Sequence, residues 1–266
     1  MIAVVCLPPN RVPLRVFDEV AETVSCGLRA LAATGQGLSD RTVFLGAHVL
    51  PWSRYTDDRA IFYNFEQRGS PALSSSVLDM FRRHEVWDYS PSNIAWFAEH
   101  GIRAKHVPIG YVPDLTRIEK APTKDIDVLF YGLVNDRRRR ILDSLRATGL
   151  AVCVLSNCYG TERDRLIARS KIVLNTHFYD AGIFEMVRCS YLFANEVCVV
   201  SEDSIDVPPE LARALPFAPR DELADTCAAL ARDAESRTSW ASLSHRAFRT
   251  CNEVDILREA VNGSRP

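Results

Sequence analysis

What this sequence lacks narrows its class before any motif is considered. No apolar stretch approaches the ~20 residues of a membrane-spanning helix, and the opening MIAVVCLPPNR has no basic segment ahead of its short apolar run. The expectation is a soluble, unexported, cytoplasmic protein. The eight cysteines, at positions 6, 26, 153, 158, 189, 198, 227 and 251, form no CxxC, and Cys153 and Cys158 have no second pair or histidine cluster at zinc spacing. Most lie inside apolar runs, which reads as buried thiols in a reducing compartment and no metal site. A glycine-rich turn after the first apolar run is missing too: Pro8-Pro9-Asn10-Arg11 stands where a GxGxxG fingerprint would be, so NAD or FAD at that turn is disfavoured. With a net charge of −2 there is no global basic field, so no nucleic-acid partner is indicated, although local basic patches stay open. The chain has no internal repeat beyond βα alternation and no low-complexity tract.

The 266 residues, 47% apolar and 25% charged, suffice for two modest cores. Residues 2–7 read as a strand. Phe17, Val20, Val24, Leu28 and Leu31 recur at helical spacing after it. Strands follow at 41–50 and 60–65, with His48, Asn64, Glu66 and Gln67 at their polar ends, then a helix at 76–84, a strand at 86–89 and a helix from 94 started by Ser90 and Pro91. Residues 104–114 carry two prolines and a glycine with little periodicity, as a linker does. That divides the chain into residues 1–112 and 113–266.

The second half repeats the alternation. A strand at 126–131 ends in Gly132, a helix enters at Asp136, and strands follow at 151–155, 172–175 and 197–200 with helices between them. This pattern predicts an α/β fold with a parallel, doubly wound sheet. Parallel sheets bind ligands at the carboxyl ends of their strands. The Gly132 turn leads into a helix whose first turn carries arginines, and free N–H groups, the positive helix end and guanidinium forks together suit an anion. Of the arginines at 137–140, two must face outward whatever the function, which leaves Arg137 and Arg138 as candidates. The loop at 176–183 and a helix expected from about Phe184 place Glu185 in a first turn, where a carboxylate suits the helix dipole or a ribose diol. His177, Glu66 and His48 sit at strand ends and are candidate bases for an acceptor hydroxyl.

Three stretches then carry a resemblance: DVLFYGLVNDRRRRILDSL, RDRLIARSKIVLNTH and IFEMVRCSYLFANEVCVVSED. They resemble the nucleotide-sugar half of GT-B glycosyltransferases, in particular family-1-like and CgeB-like C-terminal domains. The likeness covers residues 126–203 well and the first half more weakly, through YNFEQ, VWDYSPSN and VPIGYVP. It implies two Rossmann-like doubly wound domains facing across a cleft, an acceptor-side domain first and a nucleotide-sugar-binding domain second. It also implies transfer of a sugar from a nucleotide diphosphate donor to an unidentified acceptor without a metal or other cofactor. By the same resemblance, Gly132, Asn135 and Arg137 or Arg138 form the diphosphate turn. Glu185 lies at the ribose, with Phe184 beside it in the nucleotide-sugar site, and the loop of Asn157, Tyr159 and Gly160 lies against the base. Two departures from the family pattern concern the sugar: His177 replaces the first glutamate of E-x7-E, and the helix after Glu185 runs about one turn longer without the usual glycine. An epimerase and a non-catalytic nucleotide-binding module are the alternatives.

Overall fold

The computed structural model describes residues 3–5, 12–35, 41–49 and 59–263. The Pro8–Arg11 turn lies outside the described residues, as do the ends of the first apolar run. In chain order the elements are β1 (Ala3–Val5), α1 (Asp18–Ala33), β2 (Thr42–Leu45), β3 (Ala60–Asn64), α2 (Ser75–Phe81), β4 (Glu85–Asp88), α3 (Pro91–Glu99) and β5 (Ala104–His106). They continue as β6 (Ile126–Tyr131), α4 (Asp136–Ala147), β7 (Val152–Leu155), α5 (Gly160–Arg169), β8 (Ser170–Asn175), α6 (Met186–Ala194), β9 (Val199–Glu202), β10 (Phe217–Ala218), α7 (Leu223–Arg232), α8 (Ala234–Arg249) and α9 (Glu253–Asn262). No helix among the described residues is long and apolar enough to cross a membrane.

The chain forms two compact units, Met1–Asp114 with Cys251–Pro266, and Leu115–Thr250. Each is a Rossmann-like α/β unit around one sheet with every strand pair parallel. In the first, the order is β1-β2-β3-β4-β5, following the chain. In the second it is β10-β9-β8-β6-β7, so the chain steps outward to β7 after β6 and then returns to the far side of β6 for β8. Strands covered on both faces read as unbroken apolar runs: all five residues of β3 are buried. In the second unit Val128, Phe130, Ile172, Leu174 and Val200 from the sheet pack with Ile141, Leu142, Leu145 and Leu223 from the helices.

Helix starts follow local chemistry. The Ser90 side chain accepts the Asn93 N–H at the head of α3, with Pro91 in the first turn, and Asn135 accepts the Arg138 N–H at the head of α4. Gly149, at φ +81°, follows the end of α4 where a left-handed residue is needed.

Residues 253–262 depart from the sequence division, which placed everything past 112 in the second domain. They form α9, which packs on α1 within the first unit. Two glycines permit this. A Cβ on Gly27 would sit 2.6 Å from Leu257 Cδ1, and one on Gly110 would sit 2.7 Å from both Cys251 O and Glu253 N. The segment taken for a linker holds β5 and this close approach.

Glu253 is fully buried in that contact. Its Oε2 accepts the Gly110 N–H at 2.6 Å, and its Oε1 has no hydrogen-bond partner. Burial pushes its carboxyl up to about 8 against the opposing pull of the Gly110 N–H, and the nearby Tyr63 hydroxyl is raised by burial and by Glu253 and Asp88. A carboxyl with a raised folded pKa favours folding in its neutral form. Its contribution is therefore full below about 4.5, the usual carboxyl range, and is lost as the pH rises toward about 8. Glu253→Gln, which keeps the acceptor for Gly110, is expected to raise the Tm at pH 8 and to flatten its decline between pH 5 and 8. Identical pH profiles for the two proteins would contradict the assignment.

Candidate functional site

In the second unit the crevice between the carboxyl ends of β6 and β8 is a topological switch point, since the connections leaving these strands run to opposite sides. Open parallel sheets bind ligands at such a crevice. β6 ends at Tyr131 and β8 at Asn175, and the turns at 132–135 and 176–185 rise from them. Gly132 has φ +138°, a value L side chains rarely adopt, and a Cβ there would lie 3.1 Å from Arg188 Nη2. Asn135 joins the two turns: its Oδ1 caps α4 while its Nδ2 donates to Phe178 O at 2.9 Å.

Arg138 occupies the centre of the crevice. Its side chain is 3% exposed. Nε and Nη2 donate to Thr176 O at 3.1 and 2.6 Å, and Nη1 donates to Leu133 O at 2.9 Å. Nη2 also reaches Glu185 Oε1 at 3.4 Å. The guanidinium lies 5.2 Å from the ring centres of both Phe130 and Phe178. Burial, and next the charge of Arg188, lower its pKa to about 9, with Glu185 opposing them. It is still protonated at neutral pH.

Arg188, on α6 three residues past Glu185, stands beside it. Its Nη1 donates to Asn175 Oδ1 at 2.9 Å, and its guanidinium packs over Phe130 and Tyr131 at 5.4 and 5.7 Å. No carboxylate pairs with it among the described residues. Arg163, buried, packs over Tyr131 and Tyr191 at 5.6 and 4.9 Å. Tyr191, Arg163, Tyr131, Arg188, Phe130, Arg138 and Phe178 thus alternate ring and cation across the end of β6. The rings hold the guanidinium groups in place; Arg163 also pairs with Asp164 at 2.9 Å and Arg138 with Glu185 at 3.4 Å, which leaves Arg188 as the member of the row without a carboxylate among the described residues.

Several sequence expectations are corrected here. Arg137 was a candidate for gripping an anion, but both its terminal nitrogens bond Glu202, with Nη1 to Oε2 at 2.7 Å, so its charge is spent inside the protein. Glu202 also accepts from Thr176 Oγ1 at 2.7 Å and the His177 N–H at 3.1 Å. Burial raises the Glu202 carboxyl, yet these donors outweigh it and hold the group at about 2. His177 is 1% exposed, its Nε2 lies 2.9 Å from Asp203 O and 3.1 Å from Ser204 Oγ, and its Nδ1 is buried without a partner. It is an internal tie between the loops after β8 and β9, closed to an acceptor. Phe184 is fully buried, stacked on Phe193 and tilted against Phe217, and so belongs to the core rather than to a ligand surface. Helix α6 starts at Met186, and Glu185 stands at its cap position with no side-chain cap bond. Its carboxylate is engaged by Arg138 instead.

The loop after β7, adjacent to β6, carries the remaining candidates. Asn157 is left-handed at φ +53°, Tyr159 is the cap residue of α5 and Gly160 opens it at φ +62°. The Gly132 N–H donates to Leu155 O at 3.0 Å, so the two turns stand side by side.

In the first unit, His48 and Glu66 lie past the carboxyl ends of β2 and β3. His48 Nδ1 is 3.7 Å from Glu66 Oε1, and each side chain is 22% exposed. Ser70 Oγ donates to Glu66 Oε2 at 2.8 Å. Asn64 and Asn93, both bonded to buried Asp88, donate to Glu66 O at 2.8 and 2.9 Å and fix the backbone there. This histidine–carboxylate pair was two separate candidates in the sequence, and only folding brings them together. No group of three or more His, Cys, Asp or Glu able to hold a metal ion occurs among the described residues.

No family model matches the chain. It is 31% identical over 175 residues to an uncharacterized protein of Acanthamoeba polyphaga mimivirus, a match covering 62% of this chain and 57% of that one. The chain therefore spans little more than half the length of this curated relative. Solved structures similar to it include TarM, with a TM-score of 0.60 and 11% identity over 90% of this chain and 57% of that one. Another is WaaG, a glycosyltransferase involved in lipopolysaccharide biosynthesis, with a TM-score of 0.60 and 14% identity over 99% of this chain and 100% of that one. A third is Anabaena HepE in complex with UDP-glucose, with a TM-score of 0.61 and 12% identity over 99% and 98%. The fold is that of GT-B glycosyltransferases.

Gly132→Ala tests how tightly the crevice is built. Strain at this φ, together with the contact on Arg188, is expected to cost about 1–3 kcal/mol in urea unfolding. An unchanged midpoint would contradict the geometry.

Proposed function

We propose that the second unit binds a nucleoside diphosphate-sugar at the carboxyl ends of β6 and β8, and that the chain transfers the sugar to an acceptor hydroxyl. The observation that carries this reading is the meeting of Arg138, Arg188 and Glu185 at one crevice, although they come from two helices some fifty residues apart. Arg188 and the exposed edge of the Gly132 turn receive the diphosphate, with Arg138 adding its charge from below. Glu185 accepts hydrogen bonds from the ribose hydroxyls. The loop of Asn157, Tyr159 and Gly160 lies against the base.

In the transfer, a bond forms between the acceptor oxygen and the anomeric carbon while the bond from that carbon to the phosphate oxygen breaks. Negative charge builds on the leaving diphosphate, and preorganised guanidinium groups stabilise it as it develops. The acceptor proton passes to a general base as that bond forms. The charge on the leaving group is met by protein cations in this scheme, so turnover is expected to persist in EDTA.

Thermal shift with UDP-, GDP- and dTDP-sugars, followed by donor hydrolysis, tests the assignment. Binding stabilises by RT ln(1 + [L]/Kd), about 2.7 kcal/mol at a hundredfold excess over Kd. Glu185→Ala is expected to weaken donor binding roughly 10- to 100-fold, the value of hydrogen bonds to a charged group, in a folded protein. Undiminished affinity in that variant would remove the ribose role. The closure of His177 favours a second reading, nucleotide binding without transfer. Stabilisation by a donor with no hydrolysis or transfer under any condition would select it.

A further inference from the structure

The amino-terminal edge of the first unit's sheet is the end of the strands away from Glu66 and His48. Arg41 immediately precedes β2, Glu85 opens β4 and Arg103 immediately precedes β5. With Arg82, Arg83 and His84 they line a recess of about 570 Å³. The chain as a whole is acidic, at −2, and this face is the reverse. Glu85 is shared by two cations, accepting from Arg41 at 2.7 Å and Lys105 at 3.2 Å, as well as from Trp87 Nε1 at 2.8 Å. Arg82 pairs with Asp79 and donates to His100 O, while Arg83 Nε donates only to the backbone oxygen of Asp79. Arg103 has neither an ion pair nor a side-chain hydrogen bond among the described residues. Five cations therefore stand against the two carboxylates that touch them, and the least satisfied, Arg83 and Arg103, line the same recess.

A merely solvated basic face needs no concavity and is served equally by lysine. Here the cations that line the hollow, Arg41, Arg82, Arg83 and Arg103, are arginines, the hollow is within the size range of small-ligand sites, and a planar guanidinium matches the oxygens of a phosphate two at a time. We propose that this recess binds a phosphate group, carried on a small monoester or as pyrophosphate, at a site separate from the crevice of the second unit. Arg83 and Arg103 supply the unspent donors, and Arg41, held by Glu85, supplies a fixed third charge.

The test is a titration of isotope-labelled full chain at low ionic strength, with inorganic pyrophosphate in one arm and glycerol phosphate in the other, following the amides of residues 82–85 and 101–103. Saturable shifts there are expected in at least one arm, and the arm that binds more tightly identifies the source of the phosphate. Sodium chloride at matched ionic strength is expected to produce none. The double variant Arg83→Gln, Arg103→Gln, both exposed positions, is expected to fold and to bind roughly tenfold or more weakly. Glu185→Ala is expected to leave this response unchanged, so that failure of the nucleotide site and failure of the recess are read separately. Absence of shifts in both arms, equal shifts with chloride, or undiminished binding in the double variant would overturn the proposal.

Discussion

A guanidinium held away from water at the end of β6 is the constraint around which the second unit is arranged. An ion in that position is tolerable only with its donors occupied and a counter-charge near. Arg138 has two backbone carbonyls, the Glu185 carboxylate and two aromatic faces for this purpose. Thr176 O and Glu185 bring the β8 turn and the head of α6 to it, and Leu133 O brings the β6 turn. Meeting the needs of one buried cation thus positions three connections, and it is these connections that form the crevice.

Charges beside it are handled in different ways. Arg137, its neighbour in sequence, is neutralised by Glu202, whose carboxylate is saturated with donors. Arg188 is oriented by Asn175 and two rings but meets no carboxylate among the described residues. One arginine is therefore structural, one is shared and one is left with charge to offer a ligand. The first unit shows a comparable economy at β3 and β4, where buried Asp88 organises Asn64 and Asn93 and these in turn fix the backbone at Glu66.

Features governed by local chemistry were legible in the sequence. The bounds of β6, the Asn135 cap and the Gly132 turn follow from a six-residue apolar run, a capping side chain and a glycine that alone tolerates its φ. The parallel alternation followed from period and punctuation. Features governed by distant partners were not. Nothing near Arg137 signals that Glu202, sixty-five residues on, takes its charge, and nothing near His177 signals that Asp203 and Ser204 close over it. Arg188 could have been found from its spacing of three residues from Glu185, which puts both on one face of a helix start. Helix α9 was hidden because its polar outer residues dominate its composition, while Leu257 and Glu253 need α1 to be buried. A shared fold does not determine chemistry, so the functional reading rests on the crevice rather than on the likeness to TarM, WaaG and HepE.

A crystal structure of the chain with UDP bound examines the central claim most directly. The account predicts the diphosphate against the Gly132 turn and Arg188, and the ribose hydroxyls within hydrogen-bond distance of Glu185. Nucleotide density elsewhere, with Glu185 still facing only Arg138, would contradict it.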